Sequence, residues 1–298
     1  MTTASSAMFT SPEARESIRA WGDRFARAVP HESRVVSTSF GDTHVRVLGP
    51  EGAPPLVVLH GAMASSGHVL PEVALVARGH RVFALDVIGQ SAASADRRID
   101  LRGDDYGRWL FECADALSLD SFALLGVSWG GFVSLRAARV DVSRLRALVL
   151  LVPAGVVNNS LWRGLRDGGF AFLAYKLRPS RARLDRLLAT IFTEPDEAWT
   201  EYFEQSMRLA RPDLRVPPLA TDAELEAISC PTLVFGAELD GSFPGAALVE
   251  RARQRVPRVE CELLAETRHC PPFSEAFRQR FAERVERFLA AIPESVRG

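Results

Sequence analysis

Six short apolar runs constrain the fold of this chain more than any other feature. Pro55–His60 (PLVVLH), Arg81–Asp86 (RVFALD), Ser121–Val127 (SFALLGV), Leu148–Val152 (LVLLV), Thr232–Phe235 (TLVF) and Val259–Leu264 (VECELL) are mostly continuous rather than alternating in hydrophobicity. Strands of this kind are buried on both faces, as parallel strands covered by helices are. Helix-length stretches such as Tyr106–Leu117, Gly130–Arg139 and Ala246–Val256 lie between them. Strand and helix in alternation predict an α/β architecture, a mostly parallel central sheet flanked by helices on both faces.

Two regions depart from that rhythm. Before the first run, Pro12–Ala28 is expected to be a helix, with Ser11 as its N-cap and Pro12 at the first helical position. The β-prone runs Arg34–Phe40 and His44–Leu48, parted by the turn signal Gly41-Asp42, suggest an antiparallel hairpin. From Ala154 to Asp222 no strong strand appears, only helix-like stretches such as Leu161–Leu177 and Arg181–Ile191. A structureless loop of that length does not suit a compact domain, so an inserted helical cap is expected there. Residues 1–153 then hold the N-terminal helix and the first part of the core, 154–222 the cap, and 223–298 the rest of the core. Trp162, Phe170, Phe172, Tyr175, Phe192 and Trp199 are expected either to pack cap against core or to line a pocket.

Composition narrows the chemistry. The formal net charge is −1 and like charges are not clustered, so neither nucleic acid nor a membrane is expected as a partner. Cys113, Cys230, Cys261 and Cys270 are scattered without CxxC spacing, and no HExxH helix or Gly-Lys phosphate loop occurs, so no metal or cofactor is expected. The first residues lack a basic segment followed by an apolar one, and the apolar stretch Leu148–Val157 is too short to span a bilayer. A soluble, cytoplasmic protein is the expectation.

The motif that carries chemistry is Gly126-Val127-Ser128-Trp129-Gly130-Gly131, directly after SFALLGV and before FVSLRAAR. G-x-S-x-G between a strand and a helix makes a tight elbow that leaves the serine hydroxyl exposed at the sheet end. A serine hydroxyl needs a base that is itself held in place. Of six histidines, His269 lies just past the last strand, on the loop AETRHCPPFSEAF, where it would reach the sheet edge of Ser128. Asp240, after TLVF, stands between them in the chain order Ser…Asp…His, with Glu238 as the fallback acid. Pro153-Ala154, after LVLLV, offers no carboxylate at the other strand end used for this role. The backbone N–H groups of Trp129 and Ala62 are the expected oxyanion donors. His60, beside Ala62, is expected to be structural, its ring bonding loop backbone.

With these residues placed, the chain resembles the α/β-hydrolase family over nearly its whole length, and more narrowly bacterial carboxylesterase-like hydrolases with a helical cap. The resembling segments are FTSPEAR, GDTHVRVLGPEGAPPLVVLHGAMASS, VFALDVIGQSA, GVSWGGF, PTLVFGAELD and the loop around His269. The resemblance implies a triad of Ser128, Asp240 and His269, oxyanion donors Ala62 and Trp129, a cap over the pocket and no cofactor. The chain departs from it where relatives carry D-x-x-G-x-G-x-S, since Gly89 is followed by Gln90-Ser91. It also lacks a triple-glycine oxyanion loop, which argues against esters of bulky tertiary alcohols. The serine nucleophile sets aside the aspartate-dependent dehalogenases and epoxide hydrolases. Fold does not fix function, and the leading expectation is hydrolysis of a small or medium carboxylic ester (class EC 3.1.1). Carbon–carbon bond, lactone or thioester cleavage by the same triad are alternatives, as is a perhydrolase activity. An idle binding module is the reading of another class, against which the complete triad argues.

Overall fold

The computed structural model describes residues 8–159, 164–211, 213 and 215–292. The six runs form β3 (Pro55–Leu59), β4 (Arg81–Leu85), β5 (Phe122–Val127), β6 (Leu145–Leu151), β7 (Thr232–Ala237) and β8 (Val259–Leu264). Two earlier strands, β1 (Glu32–Thr38) and β2 (Gly41–Leu48), complete one eight-stranded sheet in the order β1-β2-β4-β3-β5-β6-β7-β8. β1 pairs antiparallel with β2, and β2 with β4, while all pairings from β4 through β3 to β8 are parallel. The hairpin turn is Ser39-Phe40, not Gly41-Asp42. Gly41 and Asp42 already lie in β2 opposite Thr38 and Ser37, and Glu112 fixes the turn by accepting from the Ser39 N–H and hydroxyl.

Side chains alternate across the sheet and feed two cores. Val57, Leu59, Leu124, Leu148 and Leu150 pack on one face with α3 (Asp105–Ala116), α4 (Trp129–Asp141) and α9 (Gly245–Arg255). Leu56, Val58, Leu125, Val149 and Leu151 pack on the other with α2 (Ser66–Val73) and α10 (Glu275–Ala290). Both faces of β3 to β7 are therefore covered, and this is why those runs read as continuously apolar. β8 differs: it is the edge strand, only half-buried, with Glu260 and Glu262 paired to Arg284. The N-terminal helix α1 (Pro12–Ala26) starts as expected, the Ser11 hydroxyl accepting from the Ala14 N–H ahead of Pro12, but stops two residues short of Ala28.

Between β6 and β7 the described elements are a π-turn (Leu165–Gly169) and helices α5 (Phe170–Leu177), α6 (Arg181–Leu188), α7 (Glu197–Leu209) and α8 (Asp222–Glu226). The expected Leu161–Leu177 helix is continuous over its described residues, 164–177, with a π-helical turn leading directly into α5, and its first residues, with Trp162, lie outside the described residues. α8 straddles the expected cap boundary at Asp222. The inserted helices are stitched to the rest of the chain at both ends. Ala210 bridges to Phe9 near the N-terminus, and Phe192 bridges to Cys270 beyond β8.

Strand order reverses direction between β3 and β5, since β4 lies on one side of β3 and β5 to β8 on the other. The crevice at the carboxyl ends of strands at such a reversal is where open α/β sheets bind ligands. The loop after β3 and the elbow after β5 both open there.

Candidate active site

Ser128 occupies the turn between β5 and α4 with φ 50° and ψ −108°. A non-glycine residue with positive φ is uncommon, and such strain persists only where the surroundings over-determine it. Here the Ser128 N–H donates to Leu151 O, while its carbonyl accepts from the N–H groups of Gly131, Phe132 and Ala154. The flanking glycines are required by space. A Cβ on Gly126 would lie 2.5 Å from the Gly130 carbonyl oxygen, and one on Gly130 would lie 2.3 Å from that of Leu59. The elbow read from the sequence is therefore a close-packed feature of this fold.

His269 meets Ser128 as the chain order predicts. Ser128 Oγ lies 2.9 Å from His269 Nε2, and His269 Nδ1 lies 2.7 Å from Asp240 Oδ2. With its Nδ1–H donated to the carboxylate, the ring turns the Nε2 lone pair to the hydroxyl. Asp240 is buried and its other oxygen accepts from the N–H groups of Ser242 and Phe243, which fixes the carboxylate plane. Burial alone would lower the His269 pKa, but the Asp240 charge and hydrogen bond outweigh it and raise it. Glu238 is turned elsewhere, accepting from the Glu266 N–H on the exposed side of the strand end. Cys270 lines the site, but burial pushes its thiol up to about 12, so it is not a competing nucleophile.

The loop after β3 brings Gly61 and Ala62 against the elbow; a Cβ on Gly61 would be 3.4 Å from Ser128 Cβ. Ala62 shares the cavity wall with Ser128, and Trp129 is the first residue of α4, where the N–H has no intrahelical partner. His60 is structural, as expected: its Nδ1–H donates to Gly61 O and its Nε2 accepts from the Val87 N–H. Two further supports were not visible in the sequence. Gln90, at the departure from the D-x-x-G-x-G-x-S pattern, accepts from the Met63 N–H through Oε1, and the Tyr202 hydroxyl of α7 donates to Met63 O. Met63 itself has φ 56°, so the loop is held in a conformation that these contacts must sustain.

A cavity of about 240 Å³ opens beside Ser128 and His269. Its walls are mainly apolar: Leu151, Ile191, Trp199, Phe203, Phe273 and Phe281 are among them, with Trp199 and Phe273 stacked at 5.3 Å. Of the aromatics singled out in the inserted segment, Trp199 lines the cavity, Tyr175 and Phe192 are buried packing, and Phe170 is exposed. Glu72 and Arg278 also face the cavity, but as a two-pronged ion pair of 2.8 and 3.1 Å that neutralises both. Among the described residues, no cluster of three His, Cys, Asp or Glu side chains could hold a metal ion, and no helix is long and apolar enough to cross a membrane.

The α/β-hydrolase fold family model matches residues 54–276, which span β3, the elbow, Asp240 and the His269 loop. The chain belongs to this family. Within it, this hydrolase is 28% identical over 269 residues to the uncharacterized carboxylesterase nap of Bacillus subtilis (strain 168), covering 87% of each chain. It is 27% identical over 256 residues to carboxylesterase YbfK of the same organism, covering 81% of this chain and 82% of the relative. Among solved structures, naproxen esterase (carboxylesterase NP) of B. subtilis superposes with a TM-score of 0.78 at 24% identity, covering 97% of this chain and 99% of that one. A putative hydrolase of B. subtilis reaches a TM-score of 0.81 at 23% identity, covering 93% and 99%. At these identities the structural likeness establishes the fold alone.

Proposed function

We propose that this α/β-hydrolase is a serine esterase acting on a small or medium carboxylic ester through an acyl-enzyme on Ser128. One observation carries the reading: the continuous Ser128–His269–Asp240 hydrogen-bonded chain at the mouth of an apolar cavity. The similarity to two carboxylesterases over more than four-fifths of the chain supports it. His269 Nε2 takes the Ser128 proton as Oγ attacks the carbonyl carbon. The Ala62 and Trp129 N–H groups hold the oxyanion, each such donor being worth about 3 kcal/mol. Collapse of the tetrahedral adduct expels the alcohol oxygen, which takes the proton back from Nε2. Water then gives a proton to Nε2 and attacks the acyl carbon; the acid leaves and Ser128 regains its proton. Asp240 holds the ring tautomer and stabilises the imidazolium throughout. The inserted segment serves as the cap, its Ile191, Trp199 and Phe203 closing the acyl or alcohol site.

The test is hydrolysis of nitrophenyl esters of increasing acyl length by wild type and Ser128→Ala. Turnover is expected in the wild type and should fall by on the order of 10⁶-fold in the variant, with the fold unchanged. Wild-type turnover that survives in Ser128→Ala would overturn the assignment. No ester turnover, but labelling of Ser128 by a fluorophosphonate, would move the substrate to a thioester, a lactone or a carbon–carbon bond.

A further inference from the structure

One surface of the inserted segment departs from the rest of the chain in both polarity and charge. Helix α5 exposes Phe170 at 64%, Leu173 at 53% and Leu177 at 72%. These positions are i, i+3 and i+7, so at about 100° per residue they fall within an arc of roughly 60°. Tyr175 is buried on the opposite side of the helix, in the cluster with Leu184, Leu187 and Phe192 that forms the core of the insertion. A surface helix ordinarily turns its apolar stripe inward, whereas α5 carries a second one that faces out. The surrounding charge is unusual too. Residues 161–190 hold seven Arg or Lys against the two acids Asp167 and Asp185, a formal charge of +5 in a chain of −1.

The cations beside the stripe are not spent inside the protein. Lys176 lies about 60° round the helix from Leu173, and Arg178 is the C-cap. Both are exposed, as is Arg186 on α6. Among the described residues none of these three charged groups has a hydrogen bond or an ion pair; Lys176 Nζ only approaches the Phe172 ring at 5.8 Å. The acids Asp185 and Glu197 are matched to Arg181. A second copy of the chain suits this face poorly, because two-fold pairing would bring the cations of both copies together. The stripe also offers on the order of a few hundred Å², against about 800 Å² a side for a standard protein interface. An anionic lipid surface satisfies both features: the apolar side chains enter the acyl boundary while the long Lys and Arg stems keep their charges among the headgroups.

We propose that the outer face of α5 is a peripheral docking surface for anionic lipid, with Phe170, Leu173 and Leu177 entering the boundary and Lys176 and Arg178 facing the lipid phosphates. Three apolar side chains and a few cations give reversible attachment, not insertion. Chain-wide charge hides the feature, because the remainder of the chain carries −6 once the +5 of residues 161–190 is set apart. None of the three stripe residues lines the cavity beside Ser128, so docking leaves the catalytic groups untouched.

The experiment is co-sedimentation of the full chain with vesicles of phosphatidylcholine, alone or with about one-third phosphatidylglycerol. Each Lys or Arg near an anionic surface is worth about fivefold in partitioning, so the mixed vesicles are expected to bind on the order of 100-fold more tightly. High salt should release the protein from them. Lys176→Gln with Arg178→Gln should cut the preference about 25-fold. Leu173→Ser with Leu177→Ser should weaken binding to the mixed vesicles about tenfold or more. All four side chains are exposed, so both double variants should keep the wild-type melting temperature. Equal binding of wild type to the two vesicle types would overturn the proposal, as would unchanged binding by Leu173→Ser with Leu177→Ser. A wild type that binds neither vesicle would overturn it too; a dimer in sedimentation equilibrium that the same double variant dissolves would then assign the face to a protein contact. No arm depends on turnover, so the esterase reading and this one stand or fall separately.

Discussion

Two carboxylate–histidine pairs are built into this molecule with the same Nδ1–Oδ2 separation of 2.7 Å. One is Asp86–His44, just after β4; the other is Asp240–His269, just after β7. Asp86 is saturated. Besides His44 it accepts from Arg46, from the Ser66 N–H and hydroxyl and from the Ser91 hydroxyl, and Arg46 is in turn paired with Asp23 of α1. Asp240 spends its second oxygen on two backbone N–H groups, and His269 keeps its far nitrogen for Ser128 beside a cavity. The same pair is therefore structural where both carboxylate oxygens are filled by fixed groups. It becomes chemical where the chain of bonds ends on a hydroxyl that faces open space. The Asp86 cluster ties α1, β2, the start of α2 and the loop after β4 into one unit, and the His60 ring that shapes the oxyanion loop leans on that same loop through Val87.

The comparison can be broken most forcefully at Asp240. Asp240→Asn is expected to cut kcat by about 10⁴-fold through the wrong histidine tautomer, with little change in the urea midpoint. A near-wild-type rate would return the acid role to another group. Asp86→Ala should do the reverse. It leaves the buried Arg46 guanidinium without this counter-charge, and chemical unfolding should report a loss of about 3–5 kcal/mol. A variant as stable as wild type would show that the cluster contributes specificity of structure without stability.

The smallest effect is in pH dependence, where the two pairs have opposite signs. Burial works against the Asp86 carboxylate, but the His44 hydrogen bond and the Arg46 charge hold its pKa well below the usual range. Its stabilisation is present above the unfolded value of about 4 and is lost as pH falls through the folded one. The raised pKa of His269 contributes stability below about 6.5 that fades as pH rises through the folded value. Activity needs the neutral ring, so the acid limb of kcat/KM should lie above the ordinary histidine range and move to lower pH in Asp240→Asn. An unmoved limb would mean that another group titrates there.

How much of this was legible in the sequence follows from the range of the forces involved. Burial on both faces writes itself into composition, so the parallel strands could be read directly, and the elbow could be read because its glycines answer a local clash. Ser128, His269 and Asp240 could be placed because each follows a strand that ends at the same sheet edge. The Asp86 cluster could not, since its partners come from four separate segments with no common period. His44, which reads as lying ahead of the core, is in the same sheet because β2 pairs antiparallel with β4. The hairpin misled for a related reason: Gly41-Asp42 has the stronger turn composition, but a side chain from α3 selects Ser39-Phe40.

The contacts between the inserted helices and the catalytic loops bear on how such a molecule can change. Tyr202 bonds the Met63 carbonyl of the oxyanion loop, and Ile191 and Thr193 pair with Cys270, the neighbour of His269. The segment that lines the cavity is thus also part of the frame around the loop after β3 and the loop that carries His269. Exchanging it for the equivalent piece of another enzyme would alter selectivity and catalytic competence together. In this chain new specificities are more accessible through single residues facing the cavity than through trading the insertion as a module.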